Sequence, residues 1–175
     1  NKLNSKYVSS EILIIVPRYF SSREKAYYEF PLGLAYISAC LKQNGHDVEF
    51  IENNTPENSD LILLHGSPIR YNKEIEFLKK IREKTKAKIG IIGPFASIKP
   101  ELFQKYSDFI IIGEPEQAIN NIKNKKIPKG LVKSEPIKDL DTLPYPDWSI
   151  FPVEKFSYNP IISKNRQFVL SSLKD

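Results

Sequence analysis

Phe30-Pro-Leu-Gly-Leu-Ala-Tyr-Ile-Ser-Ala-Cys-Leu-Lys-Gln-Asn-Gly-His-Asp-Val-Glu-Phe-Ile-Glu52 spells out a helix, its stop and the strand that follows. Leu34, Ile37 and Leu41 recur at the spacing that puts them on one helical face, toward a core. Gly33, Ala35, Ser38 and Ala39 are small enough to let the helix approach a neighbouring backbone. Gly45 supplies the left-handed position that ends a helix without the clash a Cβ would bring. From His46 to Glu52 the pattern changes to alternation around Val48, Phe50 and Ile51, which reads as a strand. The apolar run Ile12 to Val16 precedes the helix, so the stretch predicts a βαβ unit and directs attention to strand C-terminal ends.

Outward from this unit the alternation continues. Leu61 to His65 reads as a buried strand, Asn72 to Lys84 as a helix with Ile75, Leu78 and Ile81 on one face, and Ile89 to Ile92 as a further strand. Pro100 to Phe103 starts a short helix, Phe109 to Ile112 is an apolar strand, and Pro115-Glu116 opens a helix, proline being well placed where the N–H has no partner. Five apolar strands separated by helical patterns imply an α/β, Rossmann-like (flavodoxin-like) fold, a mainly parallel five-stranded sheet with helices on both faces. Only Asn53 to Ser59 is available between the second and third strands, so that crossover helix is shortened and one sheet face is thinly covered. From Pro136 onward five prolines fall among Leu140, Leu143, Tyr145, Trp148 and Phe151. That texture predicts an extended C-terminal segment lying along the domain surface rather than a free tether. Arg166 to Leu170 reads as one more strand.

Composition narrows the function classes. A chain of 175 residues, 41% hydrophobic, can fill one core of ordinary size. The net charge of +5 comes mostly from lysines in Lys79 to Lys88 and Lys123 to Lys129, scattered among other residue types as on solvated faces, so no nucleic-acid partner is expected. The single cysteine, Cys40, excludes an internal disulfide and a cysteine metal cluster, and suits a reducing, cytoplasmic setting. No apolar run reaches the length of a membrane span and no leader pattern opens the sequence, so no membrane association is expected. The chain begins with Asn and contains no methionine, from which we expect a processed chain or a piece of a longer protein rather than an intact gene product.

In such a sheet ligands bind beyond the strand C-termini. Four segments qualify: Pro17 to Phe20, His65-Gly66-Ser67-Pro68, Gly93-Pro94-Phe95-Ala96-Ser97, and Gly113-Glu114-Pro115-Glu116. Gly66, Gly93 and Gly113 stand at or near strand ends, where a missing Cβ serves either a tight turn or the close approach of a flat ligand. Neither G-x-G-x-x-G after the first strand nor G-x-x-x-x-G-K-[ST] is present, so the usual phosphate cradles are missing. No Ser-His-Asp or Cys-His arrangement can be drawn, and we name no catalytic or metal-binding residue. His46 reads as a surface or capping residue, and His65 as a ligand contact or a structural histidine. Glu114 and Glu116 read as acids stabilised at a helix N-terminus.

Taken in order, Phe30 to Glu49, Ile92-Gly-Pro-Phe-Ala-Ser97, Ile112-Gly-Glu-Pro-Glu116 and Ile137-Lys-Asp-Leu-Asp-Thr-Leu-Pro-Tyr-Pro146 resemble the N-terminal cobalamin-binding domain of B12-dependent radical SAM proteins. The likeness covers about residues 11–170. It implies a cobalamin-binding-like domain at 1–133, a Pro-rich connector at 134–163, and at 164–175 the start of a radical SAM domain whose cysteine cluster site the sequence does not reach. The function implied is that of a domain positioning a corrinoid or substrate for methyl transfer or radical rearrangement. The partners implied are the corrinoid and a radical SAM domain in cis, which would carry a 4Fe-4S cluster and S-adenosylmethionine. On its own this chain should catalyse nothing; the parent would be the enzyme. The corrinoid would lie across the sheet edge against His65, Gly66, Ser67, Pro68, Gly93, Pro94, Phe95, Ala96, Gly113 and Glu114. The Asp-x-His-x-x-Gly motif of histidine-ligating domains is absent, so cobalamin is expected base-off without a histidine ligand. The paired glycine usual after the fourth strand is here Ile92-Gly93. A different class is a flavodoxin-like or receiver-like interaction module without cofactor, although a receiver would need acids where Val16-Pro17-Arg18 and His65 stand. A nucleotide-sugar transferase half-domain would need a companion of similar size.

Overall fold

The structure, a computed structural model, describes residues 10–15, 32–51, 59–68, 71–123 and 126–152. Within them the alternation resolves into strands β1 (Glu11–Ile15), β2 (Asp47–Ile51), β3 (Leu61–His65), β4 (Lys88–Ile92), β5 (Phe109–Ile112) and β6 (Gly130–Lys133). Between them lie helices α1 (Leu32–Gln43), α2 (Tyr71–Lys84), α3 (Pro94–Ile98) and α4 (Pro115–Asn120). The strands form one sheet in the order β2-β1-β3-β4-β5-β6, and every pairing is parallel. The order reverses between β1 and β3, which is the topological switch point.

The Rossmann-like α/β class is as expected, but the sheet has six strands rather than five. Gly130–Lys133 escapes a hydrophobicity reading because it is four residues long, mostly exposed, and follows a lysine-rich run. Its place is set by the backbone instead: Gly130 N–H donates to the Asp108 carbonyl (2.8 Å), and Gly130 turns there with φ +71°. Asp108 is a hub. Its carboxylate accepts from Arg82 of α2 (2.8 Å), Lys88 of β4 (3.3 Å) and the Ile89 N–H (2.9 Å). Burial works to raise its pKa, yet these donors hold it below the usual carboxylate value.

Both faces are covered, which is why the central strands read as continuous apolar runs. Ile12, Ile14, Leu61, Leu63, Phe109 and Ile111 pack with α1 and α4 on one face. Ile62, Leu64, Ile89, Ile91 and Ile110 pack with α2 and α3 on the other. In β4 the face toward α1 carries a glycine: Gly90 stands opposite Phe109 in register, and the Phe109 ring fills the space a Cβ would need. α1 and α2 cross the sheet in opposite directions on opposite faces, so their connections share one hand. α4 travels in the direction of α2 yet packs beside α1, so the connection from β5 to β6 has the opposite hand, although parallel crossovers are nearly all of one hand.

The end of α1 is built as its sequence predicts. Gly45 takes φ +82°, its N–H donates to the Lys42 carbonyl (2.9 Å), and the His46 N–H donates to the Leu41 carbonyl (3.1 Å), the paired bonds of a Schellman stop. His46 departs from the surface reading. It is 4% exposed, and its Nε2 lies 2.8 Å from the Ile122 carbonyl oxygen, while Asn44 Nδ2 donates to the Asn120 carbonyl at 2.9 Å. The loop after α1 thus satisfies carbonyls that the C-terminal end of α4 leaves open. Gly33 also departs from expectation: it is exposed, and a Cβ there would meet nothing within 4 Å among the described residues. Two 3₁₀ turns, Pro100–Leu102 and Gln104–Tyr106, replace the short helix read at Pro100 to Phe103.

The close approach to α1 is made further along, at Ala35 and Ser38, by the Pro-rich segment. Asp147 N–H donates to the Ala35 carbonyl (3.0 Å), and the Asp147 carboxylate accepts from Ser38 Oγ (2.6 Å) and Lys42 Nζ (2.8 Å). Leu143, Trp148 and Ile150 pack against the core and Phe151 is buried within it, its ring 4.8 Å from that of Phe50 in β2. The shortened crossover at Asn53 to Ser59 lies mostly, and Pro17 to Phe20 and Arg166 to Leu170 wholly, outside the described residues.

Candidate functional site

Parallel strands place all their C-terminal ends on one edge of the sheet. His65 closes β3 and is followed by Gly66, Ser67 and Pro68; Gly93 follows β4, with Pro94, Phe95 and Ala96 opening α3; Gly113 and Glu114 join β5 to α4. The stretch after Gly93 is a short helix, with Pro94 at its first position, where a missing N–H costs nothing.

Two side chains hold these loops: Glu74, which the sequence did not single out, and Ser97, which it named only as the end of the segment after Gly93. Glu74 of α2, 2% exposed, accepts the Ser67 N–H on both carboxylate oxygens (3.1 and 3.0 Å). Ser97 donates from N and Oγ to the Gly93 carbonyl (3.1 and 3.2 Å), and its Oγ accepts the Gly113 N–H (3.0 Å), so it bridges the ends of β4 and β5. Gly66 N–H donates to the Ile92 carbonyl (3.0 Å), which carries the ladder one residue past β3. Phe95 leans edge-on against Phe103, ring centroids 5.9 Å apart, and also meets Tyr71 at 6.3 Å. The only sequence signal for Ser97 is its spacing of four from Gly93. Glu74 carries none beyond its place in the first turn of α2, where an acid is ordinary.

Each strand-end glycine has an internal reason. A Cβ at Gly66 would stand 3.2 Å from the Phe103 ring. Gly93 takes φ +106°, and a Cβ there would lie 2.8 Å from His65 Nε2 and 3.0 Å from its Cδ2. Gly113 takes φ +93°, with the Ser134 carbonyl 3.1 Å from its missing Cβ. The space that glycine leaves at Gly66 and Gly93 is filled by the chain's own rings.

Burial governs the charges here. It lowers the His65 pKa and keeps the imidazole neutral near pH 7. Glu116 departs from the helix-dipole expectation, since burial and then neighbouring Glu114 raise its pKa against the pull of its own backbone N–H. Burial, and after it Glu116, push the Cys40 thiol up to about 11, so it is not a nucleophile at neutral pH. Among the described residues no group of three or more His, Cys, Asp or Glu could hold a metal ion, and no helix is long and apolar enough to cross a membrane. A cavity of about 280 Å³ lies between α4 and β6, lined by Gln117, Asn121, Ile122, Val132, Lys133 and Glu135 among others. None of the ten edge residues lines it.

The edge fits one kind of ligand and not another. Pro68, Pro94, Gly113 and Glu114 are exposed, with Ser67 and Phe95 half-buried between them, and a flat group could rest on that surface. A group inserted between the ends of β3 and β4 would collide with His65. The N–H groups of Gly66, Ser67 and Gly113 are already bonded within the protein.

No family model matches the sequence, and no curated protein matches it. Among solved structures, the fold is similar to that of TsrM, a radical S-adenosylmethionine methyltransferase from Kitasatospora setae with cobalamin and a 4Fe-4S cluster bound. The TM-score is 0.54 at 15% identity, over 66% of this chain and 24% of that one. At that identity the likeness speaks to the fold alone, a parallel α/β sheet with helices on both faces, and the chain spans about a quarter of that enzyme's length.

Proposed function

We propose that this chain is a cobalamin-binding-like domain of a radical SAM enzyme, holding a corrinoid or a substrate over the C-terminal edge of its sheet for methyl transfer or radical rearrangement. The observation that carries the reading is the parallel β2-β1-β3-β4-β5-β6 sheet, in the fold of a cobalamin-bearing methyltransferase, with exposed loop surface at the ends of β3, β4 and β5. When bound, a corrinoid would supply a cobalt centre able to carry a methyl group. Ser67, Pro68, Pro94, Phe95, Gly113 and Glu114 would support its lower face, while His65, Gly66, Gly93 and Ala96 form the layer beneath. Residues 1–133 would form the domain, 134–163 the connector and 164–175 the entry to the radical SAM domain, where cysteines would hold the 4Fe-4S cluster and S-adenosylmethionine would also bind. The setting proposed is the cytoplasm, without membrane or nucleic-acid partners. The docking of the Pro-rich segment on α1 supports a connector with a fixed exit direction.

Incubation with hydroxocobalamin, desalting and a visible spectrum test this. A corrinoid band retained at about one equivalent is the expected result, and a spectrum of protein alone would return the chain to the class of cofactor-free interaction modules.

A further inference from the structure

We infer that the N-terminal edge of the sheet binds an internal water molecule between Ser10, His46 and Ser59, at the starts of β1, β2 and β3; this edge is opposite the one proposed for the corrinoid. Among the described residues three buried side-chain atoms lack a hydrogen-bond partner: Ser10 Oγ, His46 Nδ1 and Ser59 Oγ. All three stand in one part of the fold. Ser10 comes just before β1, His46 just before β2 and Ser59 two residues before β3, and these strands are neighbours in the order β2-β1-β3. The Asp47 N–H donates to the Ser10 carbonyl (3.1 Å) and the Asp60 N–H to the Glu11 carbonyl (3.0 Å), which sets Ser10 between His46 on one side and Ser59 on the other.

These residues leave room for a water and have use for one. Ser10 continues the alternation of Ile12 and Ile14 and so shares their face, where α1 and α4 pack, but its side chain is shorter than those of Ile12 and Leu61 in the next row. Neighbouring strands lie about 4.8 Å apart, and a water with two hydrogen bonds of about 2.8 Å each bridges up to roughly 5.6 Å. Side-chain atoms on adjacent strands that do not bond directly are thus within reach of one water. His46 decides the chemistry. Its Nε2 lies 2.8 Å from the Ile122 carbonyl oxygen, which only accepts, so Nε2 carries the hydrogen and Nδ1 of the uncharged ring presents a lone pair. Each serine hydroxyl both donates and accepts. A water that donates to Nδ1 and to one hydroxyl, and accepts from the other, satisfies all three, and three partners is the usual number for a buried water. Ser10 is 2% and His46 4% exposed, so bulk solvent does not serve them. The water joins the starts of three strands and, through the His46 ring, the C-terminal end of α4.

Ser10→Ala and Ser59→Ala test this, since each removes one partner and little volume. Where a water bridges, each should lower the folding equilibrium constant about fivefold, the net worth of one hydrogen bond. A hydroxyl buried without any partner behaves in the opposite way, because its removal relieves an unpaid desolvation and raises stability. Urea denaturation of the full chain, the two single variants and the double variant measures the effect, and magnetic relaxation dispersion of water oxygen counts the long-lived internal waters of the same proteins. The expected result is a loss of stability in each single variant and one long-lived water fewer in the double variant. Stability kept or raised in the single variants, or an unchanged count of long-lived waters in the double variant, would overturn the site. Neither outcome bears on corrinoid binding at the opposite edge, so the two readings fail separately.

Discussion

Gly90→Ala is expected to destabilise the fold by about 3 kcal/mol, the upper part of the range for overpacking a dense core, and a bulkier β-branched residue there should prevent folding. A Cβ at Gly90 would demand room already taken by the Phe109 ring, whose Cζ, Cε1 and Cε2 all lie inside van der Waals contact of it. Neither partner can retreat. Phe109 is 1% exposed and stands opposite Gly90 in the ladder between β4 and β5, within the layer beneath α1 and α4. The cost should therefore depend on the size of residue 109. Phe109→Leu alone leaves a cavity and should itself cost about 1–2 kcal/mol, below the values typical of truncation to alanine. Combined with Gly90→Ala it should cost less than the sum, because the new methyl enters space the smaller side chain vacates. Urea denaturation of the four proteins gives the coupling directly, and contacting residues couple by roughly 0.5–3 kcal/mol. Strict additivity would mean that the glycine is required for some reason other than the ring.

The second large effect is expected at Asp147. Asp147→Ala should cost about 3 kcal/mol, since it removes the acceptor of charge-assisted bonds worth roughly 1.5–3 kcal/mol and strands a buried hydroxyl. Ser38 is fully buried, and its Oγ donates to Asp147 at 2.6 Å. Lys42 Nζ at 2.8 Å, Ser149 Oγ at 2.6 Å and the Ser149 N–H at 3.0 Å complete the set. Burial alone would raise the carboxyl's pKa, but hydrogen bonds from Lys42, Ser149 and Ser38 hold it well below the ordinary carboxylate value. The sign follows. A carboxylate whose pKa is lower folded than unfolded contributes stability that is complete above its unfolded value, about 3.9, and is lost as pH falls through the folded one. The urea midpoint of the unaltered chain should accordingly decline as pH drops below about 5. Asp147→Asn should flatten that decline, leaving the share due to Asp108, which is shifted the same way. An unchanged slope in the Asn variant would show that the latch does not form in solution.

The strands facing two helical layers were legible in the sequence because burial on both sides leaves an apolar run that few other structures produce. The end of α1 was legible for a local reason, the left-handed turn at Gly45, which needs nothing distant to form. β6 was not, because its position depends on backbone pairing with β5 and on a hydrogen bond to Asp108, 22 residues back in the chain, with only Val132 of its side chains packed against the core. The burial of His46 was hidden for a similar reason: a histidine after a helix stop reads as a surface or capping residue, and the Ile122 carbonyl that its ring meets lies 76 residues further along the chain. At the candidate site, the residues could be placed on one edge from strand order alone. Their glycines could not be interpreted, since a missing Cβ invites a ligand or a neighbouring ring equally, and Phe103 and His65 approach from elsewhere in the fold.

The unusual hand of the connection from β5 to β6 bears on how load passes through the molecule. From β5 the chain runs through α4 on the face shared with α1 and out to the sheet edge at β6, and residues 134–152 then lead back to α1 at Asp147. A pull applied beyond Pro152 meets the Asp147 latch and the buried Phe151 before it reaches β6. Tension is therefore delivered to α1 and thence to β1 and β2, bypassing the exposed edge strand that would otherwise peel first. A domain joined at that end would be mechanically coupled to the helix bordering the switch point, and movement of one would be felt by the other.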